Sequence, residues 1–317
     1  MLNYGILSTA TIIDRFVAGI RETKDGYVKA IASRHIDKAK DAAKRLNIDT
    51  YYGSYQELFE DESIDIIYIP TINSSHYYDC KNALLHHKHV IMEKPFTLTT
   101  LQAEELFRLA RENHCFLMEG QKSVFLPVSK KVKELINQNI IGDIKYIEYK
   151  AAFPCEYKEG YWMYDLSLGG GCLYGSASYT IESLLYLFDK PKLSIGGHCI
   201  RHHSGIDTLV HICLDINKKI SCSSTIIMNS SLKNEAVIYG EKGYIEIPYY
   251  WKARDFSVHY NDGQIENYHF DYQSEFRFEI EHAHDCIHKG LIESPIMSFW
   301  HTYECVKLVV ELQNNLK

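Results

Sequence analysis

Over the first 120 residues, short apolar runs alternate with amphipathic stretches. The runs fall at residues 4–7, 28–32, 64–69, 89–92 and 115–118. They are apolar on both faces, which suits strands of a parallel sheet covered by helices on each side. Between them lie residues 12–21, 37–46, 76–87 and 101–112, and in the last of these Leu101, Leu106 and Leu109 follow a helical period. Strict βαβα alternation predicts a doubly wound α/β domain with right-handed crossovers.

Beyond residue 120 the pattern changes. Helix-like stretches at 128–139 and 179–188 precede a series of strand-like runs at 193–200, 209–216, 220–228, 235–239, 244–247, 256–260 and 266–270. Turn signals such as Glu241-Lys242-Gly243 and Asn261-Asp262-Gly263 separate several of them. Helical patterns at 275–288 and 299–316 close the chain, the last marked by Phe299, Tyr303, Val306 and Val310. The expected architecture is a Rossmann-type doubly wound parallel sheet over 1–120, then an α+β domain with an open, largely antiparallel sheet over 121–317. The second domain is expected to bind substrate and to oligomerise, with the last helix free to pack back on the first.

Length agrees with that division: 317 residues at ~150 per domain is about two domains. The balance of 34 Lys and Arg against 41 Asp and Glu gives a net charge of -7, which argues against nucleic acid as a partner because phosphate needs a basic surface. No apolar run approaches the ~20 residues of a membrane span. Met1-Leu2-Asn3-Tyr4-Gly5 leads straight into a strand pattern, so a cytoplasmic protein is expected. The nine Cys are scattered, without C-x-x-C spacing, and are expected to be reduced thiols. The sixteen His include His86-His87-Lys88-His89 and Glu281-His282-Ala283-His284-Asp285, yet neither cluster has a metal-ligand spacing, and no metal is expected.

Candidate chemistry sits where strands end. In a doubly wound sheet the first βα turn receives a pyrophosphate. Here that turn is Ser8-Thr9-Ala10-Thr11-Ile12-Ile13, and the glycines of a G-x-G-x-x-G fingerprint are replaced by Ser8, Ala10 and Ile13. Ser8 can still turn, Ala10 still permits close backbone approach, and Ser8, Thr9 and Thr11 add hydroxyl donors. An ordinary strand-to-helix turn fits the same residues. After the second strand, where an acidic residue would take the ribose hydroxyl of NAD, stand Ser33 and Arg34, with Lys38 one turn on. A hydroxyl and cations suit the 2′-phosphate of NADP, although a solvent-exposed arginine is the plain alternative. Directly after the fourth strand comes Glu93-Lys94-Pro95, in which the proline fixes Lys94 at the carboxyl edge of the sheet.

Together these features resemble the glucose–fructose oxidoreductase/inositol dehydrogenase family over nearly the whole chain, most closely its branch of dimeric dihydrodiol dehydrogenases and NADP-dependent xylose dehydrogenases. The resemblance rests on Tyr4-Gly5-Ile6-Leu7 with Thr9, Ala32-Ser33-Arg34, Tyr52-Gly53-Ser54-Tyr55-Gln56-Glu57-Leu58, and Tyr68-Ile69-Pro70 with Asn73, Ser74 and His76. It continues through Glu93-Lys94-Pro95, Leu117-Met118-Glu119 with Phe125 and Pro127, Gly169-Gly170-Gly171-Cys172-Leu173, and Glu279-x-Glu281-His282.

It implies NADP as cofactor, with NAD as the other option, held by residues 8–12, Ser33, Arg34, Lys38, Pro70, Thr71, Asn73, His76, Glu93 and Lys94. It makes Lys94 the first catalytic candidate. A lysine near ~10.4 needs burial and a cationic neighbour to act near neutrality, and oxidised nicotinamide is such a neighbour. The family places an Asp after the glycine run and a His or Tyr four residues on; here these are Gly175 and Tyr179. Two family arginines are replaced by Val124 and Met163. Tyr161, Trp162, Tyr164 and Asp165 are the substrate-binding candidates, because aromatic platforms stack on sugars and flat ligands. The implied activity is hydride transfer between nicotinamide and a small hydroxylated or carbonyl compound such as a sugar, polyol or dihydrodiol. Loss of the carboxylate at Gly175 keeps open a rival, an NADP-binding sensor without turnover. A homodimer or homotetramer through the C-terminal sheet is also implied.

Overall fold

The computed structural model describes residues 1–316. Its helices and strands run β1 (Leu2–Leu7), α1 (Ile13–Glu22), β2 (Gly26–Ala32), α2 (Ile36–Leu46), β3 (Thr50–Tyr52), α3 (Tyr55–Glu60), β4 (Ile66–Ile69), α4 (His76–Leu85), β5 (His89–Glu93), α5 (Thr100–Glu112) and β6 (Leu117–Gly120). They continue with α6 (Pro127–Asn137), β7 (Ile144–Ala152), α7 (Cys172–Leu187), β8 (Leu193–Arg201), β9 (Asp207–Ile216), β10 (Ile220–Ile227), β11 (Glu235–Gly240), β12 (Gly243–Pro248), β13 (Asp255–Tyr260), β14 (Ile265–His269), α8 (Arg277–His288) and α9 (Phe299–Asn315). The chain divides into two compact units, Met1–Gln121 with Gln273–Val306, and Lys122–Tyr272 with the segment from Lys307.

In the first unit six parallel strands take the order β3-β2-β1-β4-β5-β6. This is the doubly wound order, with its switch point between β1 and β4 and its ligand crevice at their carboxyl ends. All four residues of β4 are buried, as strands covered on both faces must be. Phe16 of α1 stacks on Tyr68 of β4 with centroids 3.5 Å apart and meets Phe276 edge-on. Tyr4 of β1 shares a buried 2.8 Å hydrogen bond with His284 of α8. Those contacts explain why Gln273–Val306 belongs to this unit: the aromatic faces of α1 and β1 are completed from the C-terminal part of the chain.

In the second unit eight strands take the order β14-β13-β12-β11-β7-β10-β9-β8. Every pairing is antiparallel except β7 with β10. Along β7, Ile147, Tyr149 and Ala151 are buried while Tyr146, Glu148 and Lys150 are half-exposed on the other face. On the covered face the Tyr149 hydroxyl meets Ser183 of α7 at 2.9 Å. Helix α7 is buried on nearly all sides. Its entry is fixed from another element: Asp207 of β9 accepts a 2.7 Å hydrogen bond from the Leu173 amide, satisfying one of the first-turn donors. Gly171, at φ +101, precedes the helix, and a Cβ there would stand 2.6 Å from the Asp207 carboxylate, so both backbone and space call for glycine. Burial pushes the Asp207 carboxyl up to about 6.

Candidate functional site

The residues singled out by sequence fall into two sets, one in each unit. In the first unit the turn after β1 is built by Ser8, which adopts φ +104, a conformation that favours glycine. Its hydroxyl closes the turn, accepting from the Ala10 amide at 3.1 Å and donating to the Pro70 carbonyl at 3.4 Å. Ser8 thus replaces a fingerprint glycine in shape, and its hydroxyl is engaged in the turn. Thr9, Ala10 and Ile12 are half-buried and Thr11 is exposed. The N-terminus of α1 has no side-chain cap; the Ile13 amide donates to the Ala10 carbonyl at 3.1 Å and the Arg15 amide to the Ile12 carbonyl at 3.2 Å, and no capping side chain occupies the place a phosphate would take. These features fit a pyrophosphate.

At the end of β2, Ser33 is buried and its hydroxyl accepts from the His35 amide, while Arg34 and Lys38 are exposed. The Arg34 guanidinium faces the Tyr55 hydroxyl and the charge of Asp79. Burial pushes the Asp79 carboxyl up to about 6, against the opposing pull of its hydrogen bond from Thr71 and of Arg34. An exposed arginine in this place fits a 2′-phosphate.

The loops after β4 and β5 are fastened by His76. Its ring nitrogens face the Pro95 carbonyl at 2.8 Å and the Thr71 carbonyl at 3.1 Å, and burial lowers its basicity. His76, 1% exposed, therefore holds the Lys94-Pro95 turn against the loop bearing Pro70, Thr71 and the buried Asn73. Lys94 itself is half-buried. Beside it, Glu93 is buried and accepts a 2.8 Å hydrogen bond from the Tyr68 hydroxyl.

Glu119, on the neighbouring strand β6, is 2% exposed. Burial pushes its carboxyl up to about 8; hydrogen bonds from Thr302 and the Phe96 backbone oppose that, as does Lys94, and Glu93 adds to it. Held protonated at neutrality, it places no charge of its own in that buried site. A stability effect follows. In acid both folded and unfolded chains hold this proton; as pH rises past 4.5 the unfolded chain releases it first, and stability falls until the folded carboxyl also ionises near 8. Glu119→Gln is expected to flatten the fall in thermal midpoint over that window. An unchanged slope would contradict the assignment.

In the second unit Tyr179 lies on α7 and is 7% exposed. The short turn Lys122–Val124 brings Lys122 to it, with the ammonium donating to the phenolic oxygen at 2.8 Å and lying 5.0 Å from the ring centroid. Trp251 tilts against the same ring at 6.0 Å. One helical turn before Tyr179, a Cβ on Gly175 would come 3.1 Å from the Phe153 ring. An aromatic ring thus occupies the direction in which a side chain at 175 would leave the helix. Tyr161, Trp162, Tyr164 and Asp165 gather in the segment before α7. Tyr164 is buried and donates to the Cys155 carbonyl at 2.7 Å, whereas Tyr161 is exposed and Trp162 half-buried. Asp165 accepts from the Ser167 amide and hydroxyl, which holds its carboxyl below the usual range.

Sequence reasoning missed Lys122, Phe153 and Asp207. One signal for Lys122 was available: a single cation set before the apolar run Val124-Phe125-Leu126. Phe153 and Asp207 gain their roles only through contacts made across the fold. Among the described residues, no group of three or more His, Cys, Asp or Glu is arranged to hold a metal ion.

A doubly wound sheet with a lysine at the end of β5, followed by an open-sheet domain, is the architecture of a nicotinamide-dependent oxidoreductase. Residues 2–121 match the family model described as "Oxidoreductase family, NAD-binding Rossmann fold", and residues 129–246 match "GFO/IDH/MocA C-terminal domain". The chain belongs to this family. It is 33% identical over 306 residues to trans-1,2-dihydrobenzene-1,2-diol dehydrogenase of Xenopus laevis, covering 93% of this chain and 92% of that one. It is 28% identical to the Homo sapiens enzyme of the same name, covering 93% and 91%. Among solved structures, a 3-ketoreductase from Actinomadura kijaniata in complex with NADP and TDP-benzene superposes with TM-score 0.89 at 23% identity, covering 100% of this chain and 98% of that one. An aldose-aldose oxidoreductase from Caulobacter crescentus complexed with glycerol superposes with TM-score 0.88 at 19% identity, covering 99% and 97%.

Proposed function

We propose that this protein is an NADP-dependent oxidoreductase that moves a hydride between nicotinamide and a small hydroxylated or carbonyl compound, of the sugar, polyol or dihydrodiol kind. The observation that carries the reading is Lys94 at the carboxyl end of β5, fastened by His76 in a sheet of doubly wound order. The named dehydrogenase relatives favour a ring-borne hydroxyl as the reacting group.

The first-turn residues 8–12 would hold the pyrophosphate, Ser33, Arg34 and Lys38 the 2′-phosphate, and the loops of Pro70, Thr71, Asn73, His76, Glu93 and Lys94 the nicotinamide end. Bound NADP supplies the two-electron hydride acceptor, or in its reduced form the donor. Lys94 and Tyr179 exchange the proton of the substrate hydroxyl, and Tyr161, Trp162, Tyr164 and Asp165 bind the rest of the substrate, chiefly through the accessible faces of Tyr161 and Trp162. Isothermal titration tests the cofactor reading: NADP is expected to bind, and failure of both NADP and NAD to bind would defeat it.

The Phe153 ring over Gly175 favours a second reading, in which the same fold binds NADP as a sensor without turnover. Tight NADP binding with no oxidation or reduction across a broad panel of sugars, diols and carbonyls would support it.

A homodimer or homotetramer through the second unit's sheet is part of the proposal. Its support is the outward face, where Tyr146 stacks on Tyr239, Tyr239 meets Tyr244, and Tyr244 stacks on His259 across four strands. Gel filtration showing a clean monomer would refute it. A cytoplasmic location is part of the proposal, supported by scattered cysteines without C-x-x-C spacing, the usage of a reducing compartment. No helix among the described residues is long and apolar enough to cross a membrane.

A further inference from the structure

Lys122 has no part in the function set out above. It is 3% exposed, and a buried ammonium costs several kcal/mol unless it finds good acceptors. Its bond to the Tyr179 oxygen is 2.8 Å, the length of a charge-assisted hydrogen bond. The direction of that bond is fixed by chemistry: an ammonium has only donors, so the phenolic oxygen must accept. A carboxylate in the same position would accept the phenol's proton and favour the neutral form. An ammonium does the opposite and stabilises negative charge on oxygen. At Gly175, one turn earlier on α7, there is no carboxylate, and Phe153 fills the direction it would take.

We propose that Lys122 is a positioning residue that holds the Tyr179 oxygen and favours its phenolate, making Tyr179 the acceptor of a hydroxyl proton. This rests on the reading of Tyr179 as a proton-handling group. The phenolate takes the proton and becomes a phenol; in the reverse direction the phenol returns it. The titratable groups on the elements packed around α7 include Lys122 on its short turn, Tyr250 and Lys252 on the turn Tyr250–Lys252, Tyr149 on β7, Lys133 on α6, Asp207 on β9 and Cys222 on β10, with Cys172, Tyr174, Glu182 and Tyr186 on the helix itself. Of these, Asp207 is bonded at the helix entry, and burial pushes the Tyr250 hydroxyl and the Cys222 thiol up, keeping both neutral. Lys122 donates directly to the phenolic oxygen.

The test is an ultraviolet pH titration of tyrosinate absorbance. The difference between wild type and Tyr179→Phe isolates one phenol among the 24 tyrosines. The same difference is then taken in a Lys122→Met background. The Tyr179 midpoint is expected to lie lower in wild type by about one pH unit or more, the usual effect of a close opposite charge. Lys122→Arg, which keeps the charge, should restore most of that shift. Equal midpoints with and without the ammonium would overturn the proposal. If Lys122→Met does not fold, Lys122→Gln keeps a donor without a charge, and a wild-type midpoint in that variant would overturn it equally. The readout uses neither substrate nor cofactor, so an absence of turnover would defeat the enzyme reading and leave this one standing, and equal midpoints would do the reverse.

Discussion

Lys94→Met is expected to lower turnover by about a hundredfold to ten-thousandfold, the range lost with a group that transfers a proton in the transition state. Methionine fills much the same space as the lysine stem, so the turn after β5 should hold. Pro95 and His76 fix that turn through a 2.8 Å bond that does not involve the Lys94 side chain. Calorimetric NADP binding should therefore survive while kcat falls. The substitution also removes the positive charge that moderates Glu119, whose carboxyl should be pushed up further. Turnover unchanged in the variant would remove Lys94 from the chemistry.

The second large effect is expected at Arg34. Its exposed guanidinium stands at the end of β2 beside Tyr55 and Asp79, and no acidic residue occupies the position that would take a ribose hydroxyl. Arg34→Ala should weaken NADP binding by about tenfold to a hundredfold, the worth of charge-assisted hydrogen bonds to a phosphate. NAD has no 2′-phosphate to lose, so its affinity should change little. Titrating both cofactors into both proteins checks this directly. A parallel loss for NAD would mean that Arg34 serves the fold of the loop and not the selection of cofactor.

Much of this was legible along the chain. The apolar runs at 4–7, 64–69 and 89–92 became β1, β4 and β5, because strands buried on both faces need no polar alternation. Some of the strands from Leu193 onward were marked by turn signals that the structure uses as hairpin connections, Glu241-Lys242-Gly243 between β11 and β12 and Asn261-Asp262-Gly263 between β13 and β14. Less was readable where local preference was overruled. The start of α7 carries Gly175 and several serines, poor helix formers, and the helix begins at Cys172 because Asp207, far along the chain, satisfies its first turn. β7 was not assigned, although Ile147, Tyr149 and Ala151 alternate with half-exposed residues; it is isolated from the other strand runs and pairs with β10 and β11 only in three dimensions.

The candidate site divides in the same way. Ser8, Arg34 and Lys94 could be found because each follows a strand that the pattern announces. Lys122 could not be joined to Tyr179, nor Phe153 to Gly175, because neither spacing is periodic and each contact is made by folding. Replacement of the family carboxylate by Gly175 was visible as a loss. What stands around Tyr179 in its place, a buried cation and an aromatic wall, was not.

The most direct measurement for the central claim is absorbance at the NADPH band, with purified protein, oxidised NADP and a panel of sugars, polyols and cyclic diols, and in the reverse sense with NADPH and the matching carbonyls. Substrate-dependent growth or loss of that band is expected, and it should collapse in Lys94→Met. Tight NADP binding with a flat signal across the whole panel would contradict the central claim.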